Sequence, residues 1–90
     1  MPHDDDIARA RTRAFRRWLL SLDPDPDAAL DAAQAITRIA LRSLQRMKRG
    51  TQPPPTRLLD QLAQHAASNG HDALAGELAG AATPREVSHA

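Results

Sequence analysis

Arginine and glutamine are the residue types that read the edges of base pairs, and one stretch of this chain concentrates them. Between Ile36 and Arg57 stand six basic residues, Arg38, Arg42, Arg46, Lys48, Arg49 and Arg57, and no acid. An arginine donates two parallel hydrogen bonds to O6 and N7 of guanine, and a glutamine pairs with N6 and N7 of adenine. Leu41, Leu44 and Met47 recur inside the run at helical spacing, so the basic stretch has a side to bury. With Leu44 and Met47 inward, Arg42, Gln45, Arg46 and Arg49 turn outward. Residues near the start of such a helix reach deepest, which makes Arg42, Gln45 and Arg46 the candidate base contacts. Arg38, Lys48, Arg49 and Arg57 are better placed for phosphates, which fix register without reading sequence.

Other chemistry finds no constellation. The four histidines, His3, His65, His71 and His89, form no i, i+4 metal pair, and His65 and His71 read as solvated residues flanking a turn. No serine sits in a nucleophile elbow, no carboxylate pair is matched to a base, and no glycine loop could cradle a phosphate. An enzyme is therefore the least favoured class, and no cofactor or metal is expected. Phe15 and Trp18 are the only aromatics. Single-stranded nucleic acid, which needs stacking platforms, is disfavoured on that ground.

The elements that position the basic stretch must be helices. Alanine and leucine abound while isoleucine, valine and threonine are few, a balance that favours helix over sheet. Ninety residues make one domain, which buries about 60% of its unfolded surface. With no cysteine there is no disulfide or thiolate site, which suits a reducing compartment. No apolar run reaches the ~20 residues of a membrane span, and the acidic start MPHDDD is unlike a signal peptide. A cytoplasmic protein is expected.

The net charge of +1 conceals segregation. Acids gather at Asp4 to Asp6 and Asp23 to Asp31, and bases at Arg9 to Arg17 and Arg38 to Arg57. A first helix is predicted over Asp4–Leu22, capped by its aspartates, with Ile7, Ala14, Phe15, Trp18, Leu19 and Leu22 on one side. Arg9, Arg13, Arg16 and Arg17 lie largely off that side and read as a solvated face, with phosphate contact as the alternative. The DPDPD run breaks this helix and starts a second over Pro26–Thr37, with Ala29, Leu30, Ala33 and Ile36 inward. A tight turn follows at Arg38 to Ala40, then a third helix over Leu41–Arg49, stopped by Gly50 and an extended PPP segment. Thr56 is expected to cap a fourth helix reaching Ser68, with Leu58, Leu59, Leu62, Ala63 and Ala66 inward. Asp72 is expected to cap a fifth that Gly80 ends, with Leu74, Ala75, Leu78 and Ala79 inward. The domain spans 1–80, and 81–90 is a poorly ordered tail.

On the residues ITRIALRSLQRMKRGTQPPP, the region from Ala29 to Ala63 resembles the helix-turn-helix of phage-repressor-type regulators, XRE-like and of the lambda repressor and Cro kind. Ile39 matches the apolar residue after the turn. Ser43, Leu44 and Met47 match the core of the recognition helix, and Lys48-Arg49-Gly50 matches its end. Leu58, Leu59, Leu62 and Ala63 are similar to the fourth helix of that fold. Two positions depart from the pattern. Arg38 stands where the family usually has glycine, and a left-handed residue other than glycine costs roughly 1–2 kcal/mol, which leaves room for a rebuilt turn. Asp25, Asp27 and Asp31 stand at the end of the second helix from which the family often contacts phosphate.

The resemblance implies an all-α, lambda repressor-like five-helix bundle. It also implies sequence-specific binding of double-stranded DNA by a transcriptional regulator, a repressor for instance, of a bacterium, phage or mobile element. Helix 41–49 would lie in the major groove. Such proteins usually form homodimers, with recognition helices about 34 Å apart. Leu74 and Leu78 would serve either a dimer surface or packing on the fourth helix. Two rival readings use the same residues: a protein-interaction module, such as an antitoxin or a phage inhibitor of a host protein, with its basic helix on an acidic partner, and a small assembly subunit that buries the third helix.

Overall fold

A computed structural model describes residues 4–82. They form five α-helices and, among the described residues, no strand: α1 (Asp4–Leu22), α2 (Pro26–Thr37), α3 (Leu41–Arg49), α4 (Thr56–Ser68) and α5 (Asp72–Ala82). The protein is all-α, with the helices in the places that proline, glycine and apolar spacing predict. Residues 83–90 and the side chains of Asp4 and Asp5, with the capping expected of them, lie outside the described residues.

The breaks between helices have local causes. After α1, the Asp23 carboxylate accepts the Asp25 N–H at 2.8 Å and turns the chain, and Pro26 starts α2 where a missing N–H costs nothing. Asp25 occupies the N-cap of α2 but makes no side-chain cap bond. At the other end of α2, Arg38 is left-handed at φ 63°, and its N–H donates to Gln34 O at 2.8 Å. The Thr37 hydroxyl donates to Ala33 O at 2.8 Å and accepts the Ile39 N–H at 3.2 Å. The turn is thus not rebuilt around the missing glycine; arginine adopts the strained conformation, held on both sides by hydrogen bonds.

Gly50 ends α3 in the same left-handed region, at φ 90°, with its N–H shared between Arg46 O and Met47 O. The Thr51 N–H and hydroxyl also reach Arg46 O, at 3.1 and 3.2 Å. Pro55 holds the N-cap of α4, so Thr56 is the first helical residue rather than the cap. Its hydroxyl accepts a bond from Arg11 instead, at 2.9 Å. Asp72 likewise lies inside the first turn of α5 and not before it.

The helices are arranged around α1. It packs against each of the other four, while α2 pairs with α3 and α4 with α5, and the backbones of the two pairs do not approach each other. Ala14, Phe15, Trp18 and Leu19 of α1 are buried between the pairs. Ala29, Leu30, Ala33, Leu44 and Met47 meet them from one side, and Leu58, Leu59, Leu62, Ala66, Leu78 and Ala82 from the other. Each buried large side chain contributes about 1.5–3 kcal/mol.

Two expectations for α5 are corrected. Gly80 does not end it, and Ala81 and Ala82 are helical rather than tail, because Ala82 is only 1% exposed and anchors the last turn in the core. Ala79 faces solvent instead of the core. Leu78 is wholly buried and the half-buried Leu74 packs against the core, so both take part in internal packing.

His65 is also not a solvated residue. It is half-buried, its ring meets Trp18 edge-on at 5.6 Å, and its Nδ1 accepts the Trp18 indole N–H at 3.2 Å. A neutral imidazole that accepts at Nδ1 carries its proton on Nε2. The bond satisfies the one polar atom that burial of Trp18 takes from water.

Two substitutions test these points. Arg38→Gly removes the left-handed strain but loosens the unfolded chain, and a net gain of about 0.5–1 kcal/mol should appear as a melting temperature higher by ~4 °C in circular dichroism. His65→Ala strands the indole N–H and should cost about 1–3 kcal/mol in a urea titration, whereas His71→Ala should change nothing measurable.

Candidate nucleic-acid interface

Helix α3 is held by its apolar side and by α1. Leu44 and Met47 are wholly buried. At the 100° step of an α-helix, Arg42, Arg46 and Arg49 fall diametrically opposite them and form one exposed stripe. Gln45 and Lys48 lie on the flank toward α1 and α2 and are half-buried. Arg38 is exposed at the turn before α3, and Arg57 is exposed on the first turn of α4. Arg49, expected among the phosphate contacts, therefore shares its stripe with two of the expected base contacts, while Gln45 sits at its edge.

The stripe is free of intramolecular partners. Among the described residues the only ion pairs are Arg9 with Asp6 at 3.9 Å and Arg17 with Glu77 at 3.0 Å. None involves Arg38, Arg42, Arg46, Lys48, Arg49 or Arg57. Arg42 and Arg46, four apart, repel by about 0.2–0.5 kcal/mol. Arg46, Lys48 and Arg49 in the last turn offset this by favouring the negative end of the helix dipole, by roughly 0.3–1 kcal/mol each at low salt. The helix stands on its packing, and its cations are left to solvent.

Gln45, Lys48 and Arg49 line an open groove of about 450 Å³ with Arg16 of α1 and Asp27 and Leu30 of α2. Asp27 thus borders the same groove as these residues of α3. The acidic start of α2 lies directly beside the basic helix, and any polyanion seated on the Gln45 edge would meet that carboxylate. Arg38 and Arg57 line no part of this groove.

The arginines of α1, read from the sequence as a solvated face, are partly structural. Arg16 Nε donates to Lys48 O at 2.7 Å and closes one of the free carbonyls at the end of α3. Arg17 reaches Glu77 on α5. Arg11, which the sequence did not single out, donates to Pro54 O at 3.2 Å and to the Thr56 hydroxyl at 2.9 Å. One helix thereby fixes the end of α3, the proline segment and the start of α4. Helical spacing places Arg16 and Arg17 off the apolar side of α1 but Arg11 on it, one turn from Ile7, Ala14 and Phe15, and Arg11 is half-buried. It carries no sign of the partners they meet, which are 32 to 60 residues away in the chain.

The described residues contain no group of three or more histidine or acidic side chains able to hold a metal ion. No described helix is long and apolar enough to cross a membrane. Neither a protein-family model, nor a curated protein, nor a solved structure matches the chain.

Arg16→Ala should release the end of α3. The expected cost is about 1 kcal/mol, with faster amide exchange at Gly50 and Thr51 and unchanged exchange across α4. Uniform acceleration through the whole chain would mean that Arg16 does not act on α3 in particular.

Proposed function

We propose that the protein binds double-stranded DNA in a sequence-specific manner, with α2, the Arg38–Ala40 connection and α3 forming a helix-turn-helix. The observation that carries this reading is the stripe Arg42, Arg46 and Arg49. It comprises three cations without intramolecular partners among the described residues, on a helix whose opposite side is locked into the core by Leu44 and Met47. An α-helix with its side chains is about 10–12 Å across and is admitted by a major groove about 12 Å wide. The left-handed residue in a three-residue connection, which orients α3 relative to α2, supports the same reading.

In this arrangement Arg42 and Arg46 read base edges and Gln45 reaches a base from the flank. Lys48 on the flank and Arg49 at the end of the helix engage phosphates, and Arg38 and Arg57 approach the backbone from the turn and from α4. The protein would act as a transcriptional regulator of a bacterium, phage or mobile element, as a homodimer on two half-sites one helical turn apart. Asp27 beside Gln45 and Lys48 excludes phosphate from that part of the groove and sharpens where the backbone can run.

The test is selection from a pool of random duplexes across a salt series. The expected result is enrichment of one motif, a palindrome if the protein is dimeric, with affinity falling steeply as salt rises. Absence of duplex binding at low salt would overturn the proposal and leave the reading of a basic helix on an acidic protein partner. Arg46→Ala should then relax preference at one position with a loss of about 1–3 kcal/mol; an equal loss on every sequence would reassign Arg46 to a phosphate.

A further inference from the structure

A second groove lies on the far side of Arg49. It runs between the N-terminal half of α1 and the end of α3, is open to solvent, and measures about 610 Å³. Its walls carry four arginines: Arg9, Arg13 and Arg16 from α1, and Arg49 from α3. The first three are spaced four and three apart and form one stripe along α1. The fourth is brought to them by the fold.

The floor is built to let the helices meet. Thr12 is 6% exposed, and a Cβ on Gly50 would lie 3.7 Å from its Cγ2. At the glycine stop of α3 the two helices therefore come close together, and Arg49 projects beside the arginine stripe. Arg16 is fixed through Nε on Lys48 O, which leaves the terminal nitrogens of its guanidinium available to the groove. Among the described residues Arg9 has one distant acid, Asp6, at 3.9 Å. Arg13 and Arg49 have no ion pair among the described residues.

Four like charges around one open groove repel each other, and an anion between them turns that repulsion into attraction. Guanidinium groups suit phosphate oxygens, as they do carboxylates, because each offers a fork of donors. We propose that this groove is a binding site for the phosphodiester backbone, extending the DNA surface from α3 onto α1. The inference rests on the DNA reading of α3. The occupant follows from continuity: Arg49 belongs both to the wall of this groove and to the stripe with Arg42 and Arg46, so a strand passing the end of α3 runs on between Arg49 and the α1 arginines. The site contributes affinity and register, and it reads no sequence.

The experiment is a double variant, Arg9→Gln with Arg13→Gln, in the full chain. Its affinity is measured against salt on the selected duplex and on an unrelated one. Each phosphate that the protein ceases to neutralise lowers the slope of log K against log salt by about 0.9, so a fall of about 1 to 2 is expected, with an equal fold-change on both duplexes. The melting temperature should stay level or rise, since both side chains are exposed and their repulsion is removed. An unchanged slope, with wild-type binding intact, would overturn the groove and leave α3 as the DNA surface. Weakening confined to the selected duplex would also overturn it, because that is base reading. Failure of the wild-type protein to bind any duplex would instead remove the reading on which the groove depends.

Discussion

Everything in this protein is held by one helix that has to be buried from two directions. Two helical pairs lie against α1, and their backbones do not approach each other. Phe15 and Trp18, with ring centroids 6.2 Å apart, are the two largest fully buried side chains there. A chain with two aromatics has placed both on the one element that every other helix touches. The Trp18–His65 bond is the polar condition of that arrangement, since an indole buried without an acceptor would carry an unsatisfied donor into the core.

The same helix sets the geometry of the basic surface. Arg16 on the end of α3 and Arg11 on the proline segment are charged groups bound to backbone carbonyls, which fixes the segments they touch. The bases of α3 are left without partners among the described residues. Packing stabilises α3, and its charges add little net stability. A surface of this kind is available to a polyanion because the fold does not consume it.

How much of this was legible follows from what each feature depends on. Helix positions could be read because prolines, glycines and apolar spacing act locally: the DPDPD break, Gly50 and the PPP stop all did what their chemistry dictates. The exceptions were also local in appearance but tertiary in cause. Gly80 should stop a helix, yet burial of Ala82 beyond it carries α5 onward. Thr56 should cap α4, yet its hydroxyl is taken by Arg11, 45 residues away. His65 looked solvated because nothing near it in sequence announces Trp18. Of the candidate site, the outward stripe of α3 could be read from periodicity alone. The convergence of Arg49 with the α1 arginines could not, since it requires knowing that α3 ends against the middle of α1. Arg38 was legible as an anomaly but not as a solution: the chain accepts the strain and braces it with Thr37 and Gln34.

The central helix is also the first of the five to be synthesised. The four helices that enclose its aromatic pair all follow it in the chain. The two flanking pairs are each joined by three residues, 38–40 and 69–71, so each can close with little loss of loop entropy. Each pair is a local hairpin, whereas α1 is enclosed only by both. Seating α1 between them completes the core and brings the arginines of α1 up to α3. The full basic surface therefore exists only in the finished fold.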